Sequence, residues 1–171
     1  QKHLEQPYDD CGRWSQQGEI NYSLLDVLLE NPFFQQVPPK STGREIFNLH
    51  WLIEQIAEHS LSSQDVQATL TALTARSIVN SISKLSIDIH DIYICGGGAF
   101  NEALVRTING YLQERKHPVA RLTSDIGLHP KWVEACAFAW LAKQRIEEKP
   151  GNLPLVTGAS RPVTLGGMYL P

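Results

Sequence analysis

No stretch of this 171-residue chain stays apolar for the roughly 18 residues that a membrane-spanning helix requires. The opening residues, QKHLEQPYDD, lack the charged-then-apolar order of a secretory signal, and no initiating methionine stands before them. No sign of charge dominates either. Fifteen Lys and Arg face 18 Asp and Glu for a net charge of −3, so neither nucleic acid nor an anionic membrane surface is expected as a partner. Cysteine is scarce. Cys11, Cys95 and Cys136 are odd in number, far apart and set among apolar neighbours, which excludes a disulfide framework and a CxxC metal site and suits reduced thiols in the cytoplasm. The six histidines form no i,i+4 pair and have no cysteine at ligand spacing, so no metal site is expected from them. A GxSxG nucleophile elbow and a GxxxxGK[ST] phosphate loop are both missing, which removes the serine-hydrolase and P-loop classes.

What is present is enough apolar sequence, 42%, to build one ordinary domain. Leu24, Leu25, Leu28 and Leu29 recur at helical spacing until Pro32 stops them. Thr42 and Glu45 have the spacing of a capping box, predicting a helix from about Arg44 to His59 with Ile46, Leu49, Ile53 and Ile56 inward. Ser62 and Asp65 open a longer helix, running to Leu85. Its apolar face turns part-way along, from Val66, Leu70 and Leu73 to Ile78, Ile82 and Leu85, so its halves are expected to meet different neighbours. Then the pattern alternates: a strand in DIYIC, a helix in AFNEALVRTINGYLQERK, a strand in VARLTS and a helix opened by Pro130. That β-α-β-α order predicts an α/β sheet covered by helices, with ligands beyond the carboxyl ends of the strands. The tail from Gly151, rich in Gly and Pro, is expected to wrap the surface or add an edge strand.

Gly96, Gly97 and Gly98 stand where the first strand hands over to a helix. A tight turn needing positive φ accounts for one glycine, whereas three bare residues at the ligand end of a strand let a phosphate or a flat nucleoside approach the main chain. The dinucleotide fingerprint is incomplete, because Asn101 replaces its last glycine and no acidic residue closes the following strand. Glu134 is the second anomaly, a carboxylate within WVEACAFAWLA. It is buried with a partner, faces a cleft, or merely profits from the helix dipole near the first turn. Lys40 and Arg44 flank a Ser-Thr-Gly that could hold an anion, although Thr42 is simpler to explain as a cap.

Three stretches, PPKSTGREIFN, ICGGGAFN and GLHPKWVEACAFAWLA with the tail PGNLPLVTGASRPVTLGGMY, together resemble the anhydro-N-acetylmuramic acid kinase family, over nearly the whole chain and in order. The resemblance is to the C-terminal half of that family. It implies the C-terminal lobe of an actin/hexokinase/Hsp70-like, ribonuclease H-like α/β fold with a helix-rich N-terminal part. Residues 1–60 would be a helical connecting segment and residues 61–171 an adenosine-binding core. It further implies ATP and Mg2+ as cofactors and a reaction that opens the 1,6-anhydro ring with water while phosphorylating O6. Gly96, Gly97, Gly98 and Asn101 would meet ATP, Glu134 would face the sugar, and the family is a cytoplasmic homodimer. The family's phosphate loops, with the Asp that activates water and the magnesium ligands, have no counterpart here and are expected upstream of Gln1, so this chain alone is expected to be inactive. Two alternatives are a kinase of a different sugar on the same fold and a non-catalytic module that uses the helix from Trp132 as an oligomer face.

Overall fold

The computed structural model describes residues 5–169. Its elements are helices α1 (Tyr22–Leu29), α2 (Pro32–Gln35), α3 (Leu49–Ile56), α4 (Ser63–Ser83), strand β1 (Ile92–Ile94), α5 (Glu102–Glu114), strand β2 (Ala120–Leu122), α6 (Val133–Ile146) and α7 (Pro154–Thr157). The fold is mostly helical around a small parallel sheet of two strands, with Ile92 opposite Ala120 and Ile94 opposite Leu122.

Helix α4 is the spine. Ser62 Oγ accepts from Asp65 N at 3.1 Å, the predicted cap, and the Asp65 carboxylate in turn accepts from Glu19 N at 2.8 Å. Thr69, wholly buried, donates to Asp65 O and accepts from Asn21 N, tying the start of α1 to the spine. Two apolar clusters form on α4, as its rotating pattern predicts. Ala72 and Leu73 pack with Leu24, Leu25 and Leu28 of α1, while Ala75 and Val79 pack with Ile108, Tyr111 and Leu112 of α5 and with Ala120. The small residues on the spine let both neighbours come close, and Ile78 and Leu85, expected inward, are exposed instead. Along β1, Ile92 and Ile94 face the α4–α5 cluster. Tyr93 lies on the other side, where its hydroxyl accepts from Arg121, which also pairs with Asp91 at 2.6 Å. Helices thus cover one face of the sheet. Asn109 of α5 locks the second strand by accepting from Ala120 N at 2.6 Å and donating to Ala120 O at 3.1 Å.

The expected helix from Arg44 begins later. Glu45 turns back to accept from Gly43 N, closing a turn, and Asn48 is the cap, accepting from Trp51 N at 3.0 Å. Glycine in the first turn is a poor helix former; of the four residues expected inward only Ile56 packs on the core, joined by Trp51. Ile46, Leu49 and Ile53 are exposed. In the tail, Gly151 N donates to Val163 O and Asn152 clasps Arg161 and Val163, so among the described residues it forms a pinned loop with α7 and no strand. Helix α6 buries none of its residues: Phe138 is 71% and Trp140 51% exposed. No helix among the described residues is long and apolar enough to cross a membrane.

Candidate functional site

The chain leaves β1 through Cys95 and enters a 3-10 turn over Gly97–Phe100. Gly96 has φ +75° and ψ −167°, a backbone region closed to residues that carry a Cβ. The turn therefore requires one glycine. Gly97 and Gly98 have no positive φ, and a Cβ at Gly97 would meet nothing within 4 Å, while one at Gly98 would make only an ordinary 3.7 Å contact with Leu104. Both are exposed, and their N–H groups have no protein acceptor among the described residues. Nothing inside the fold asks for bare backbone at these two positions, so the tight-turn account stops at Gly96.

Asn101 closes the shelf from behind. Its Oδ1 caps α5 by accepting from Leu104 N at 3.0 Å, and its side chain rests on Gly12. Gly12 belongs to a turn held by Asp9, whose carboxylate accepts from Trp14 N and Ser15 N, and by Ser15 Oγ, which donates to Gly12 O at 2.8 Å. The one local sign of this turn in the sequence is the Asp-Cys-Gly run.

On the other side, Gly96 N donates to the carbonyl of buried Pro130 at 3.0 Å. That bond fixes the entry to α6 against the shelf, and Glu134 lies one turn further along, in the first turn of α6. The Glu134 side chain is exposed and makes no ion pair among the described residues. Between shelf and helix runs a row of rings that the sequence did not single out. Phe100 lies 5.9 Å from His129, which lies 5.6 Å from Trp132, and Lys131 Nζ sits 5.2 Å from the Phe100 ring centre. The three thiols are free, with Cys95 and Cys136 exposed. No group of three or more His, Cys, Asp or Glu that could hold a metal ion occurs among the described residues.

The whole chain, residues 1–171, matches the family model described as Anhydro-N-acetylmuramic acid kinase. It is 46% identical over 167 residues to a protein of that name from Coxiella burnetii (strain RSA 493 / Nine Mile phase I), covering 98% of this chain and 44% of the relative. A namesake from Saccharophagus degradans is 47% identical over 166 residues, covering 96% and 44%, and one from Nitrosomonas europaea 46% over 168 residues, covering 98% and 45%. The chain thus spans less than half the length of these curated relatives.

Proposed function

The chain belongs to the anhydro-N-acetylmuramic acid kinase family, and from that premise we propose that it is the nucleotide-side lobe of an ATP-dependent sugar kinase of actin/hexokinase type. Residues 61–171 serve as its adenosine-binding core and residues 1–60 as a helical connecting segment. The complete enzyme breaks the C1–O6 bond of 1,6-anhydro-N-acetylmuramic acid, adds water oxygen at C1 and moves the γ-phosphoryl group of ATP to O6. The products are N-acetylmuramic acid 6-phosphate and ADP, a step of peptidoglycan recycling in the cytoplasm.

Within this lobe the residues position rather than react. Gly96, Gly97 and Gly98 offer main chain to the nucleotide, Asn101 holds the helix that backs it, and Glu134 faces the sugar across the Gly96–Pro130 contact. Phosphoryl transfer depends almost wholly on placed phosphate and metal contacts. The Mg2+ ligands and the water-activating Asp come from polypeptide outside these residues. The apolar α6, exposed along its length, is the surface that remaining polypeptide covers, and the assembled kinase is a homodimer. The 171-residue chain alone is inactive.

The observation that supports this reading best is the open, glycine-only backbone at Gly97 and Gly98, which internal packing does not require. The test is Gly97→Val in the whole polypeptide. Thermal stability should stay near wild type, since the Cβ meets nothing, while ATP affinity should fall about tenfold or more. Unchanged ATP binding in that variant, or turnover by the 171-residue chain at the rate of the whole polypeptide, would overturn it.

A further inference from the structure

Helices α2, α4 and α5 bring their carboxyl ends together away from the glycine shelf. Helix α5 starts behind the shelf and runs for 13 residues, so its far end stands roughly 20 Å from it. There a cavity of about 250 Å³ opens between Gln35, Asn80, Ser81, Lys84 and Arg115, with Leu29 and Phe34 as its apolar wall. That is smaller than the roughly 300–1,000 Å³ of sites for drug-sized ligands. Among the described residues no Asp or Glu lines it.

The hydrogen bonds around this cavity are out of balance. Ser77 and Ser81 donate to Thr74 O and Ser77 O, each at 2.9 Å, and Ser83 Oγ is paired with His117 Nε2, so the hydroxyls are already engaged. The Arg115 guanidinium donates to Asn80 Oδ1 at 3.3 Å, and Lys84 Nζ donates to Phe34 O at 3.4 Å. Each cation thus uses a single donor and keeps the rest. Neither meets a carboxylate among the described residues. Basic side chains at helix ends commonly bond the last carbonyls of their own helix. Here Lys84 reaches to α2 and Arg115 to α4 instead. What is left over is positively charged donor capacity with no acceptor to match it.

We propose that this cavity binds a phosphate group, free or as a phosphomonoester, between Lys84 and Arg115. Two cations suit a group that carries about two negative charges at neutral pH, as a phosphomonoester does. The guanidinium offers a planar fork to two of its oxygens and the ammonium a point charge to a third. The amide nitrogens of Asn80 and Gln35 add neutral donors at the rim, and Leu29 and Phe34 can face the uncharged body of an ester. Both cations are exposed, so occupancy falls as salt rises. The bound group ties the end of α2 to the ends of α4 and α5. The site is separate from the glycine shelf and does not rest on its assignment to ATP.

The test titrates the whole polypeptide by calorimetry at low salt, with ADP in excess so that any nucleotide site is already filled. The probes are inorganic phosphate and glucose 6-phosphate. Wild type should bind them; tighter binding of the ester would identify a phosphorylated metabolite as the occupant, and equal or tighter binding of phosphate the free ion. Lys84→Gln and Arg115→Gln each remove one charge and should raise the Kd about fivefold to tenfold. Arg115→Lys keeps the charge and should bind closer to wild type than Arg115→Gln does. No saturable binding of either probe by wild type, or equal affinities in wild type and both Gln variants, would overturn the proposal. So would an Arg115→Lys variant as weak as Arg115→Gln, because Arg115 would then act only by holding Asn80.

Discussion

Replacing Gly12 with alanine puts one methyl group into the joint behind the glycine shelf. Gly12 is buried at φ +72°, and a Cβ there would overlap Asn101 Oδ1 and come within 2.5 Å of Ala103 Cβ. Three costs add. A left-handed backbone with a Cβ costs about 1–2 kcal/mol. Driving Asn101 off Leu104 N removes a helix cap, about 1 kcal/mol. Crowding Ala103, itself buried in the first turn of α5, adds roughly 1 kcal/mol or more. The expected loss is about 3–5 kcal/mol, read as a drop in the urea midpoint. Gly110 supplies the control. It is exposed in the middle of the same helix, without positive φ, and a Cβ there meets nothing within 4 Å. Gly110→Ala should therefore stabilise by about 0.5–1 kcal/mol. The same chemical change at these two positions should thus have opposite signs. A Gly12→Ala variant within about 1 kcal/mol of wild type would refute the claim that the turn at Asp9–Ser15 holds the α5 cap in place.

Asn109→Ala strips both partners from the Ala120 backbone. It should cost about 1–3 kcal/mol in urea unfolding, and a midpoint equal to wild type would show the strand does not depend on that clasp. Asp65 is held below its ordinary value of 3.8, first by the Glu19 N–H and then by the Ser62 hydroxyl. A depressed carboxyl contributes stability that is present above the unfolded value and lost as pH falls through the folded one. Wild-type urea midpoints should therefore drop more steeply than those of Asp65→Asn as pH is lowered below about 4; parallel curves would remove Asp65 as the cause.

Elements with a single strong local signal were legible in the sequence. The Ser62–Asp65 cap, the two-sided spine of α4 and the β-α-β-α alternation each rest on residues adjacent in the chain, and the structure keeps all three. Where two local signals competed, spacing alone chose wrongly. Thr42 and Glu45 have the spacing of a cap, but Glu45 accepts from Gly43 N in a turn, Asn48 caps the helix instead, and Phe47 packs on Phe33 of α2. That last contact is tertiary and leaves no mark in the periodicity. The same holds for Gly12, whose need for a bare backbone comes from Asn101, far along the chain.

At the candidate site the sequence posed a choice it had no means to settle. Three adjacent glycines look alike on the page, but their backbones differ: Gly96 is demanded by its own φ and ψ, and its neighbours are not. The fold would tolerate alanine at Gly97 and at Gly98. Thr42 is the complementary case, a hydroxyl that the fold buries and leaves without a partner. One position lacks atoms where the protein has room, and the other has a polar atom where the protein offers no bond.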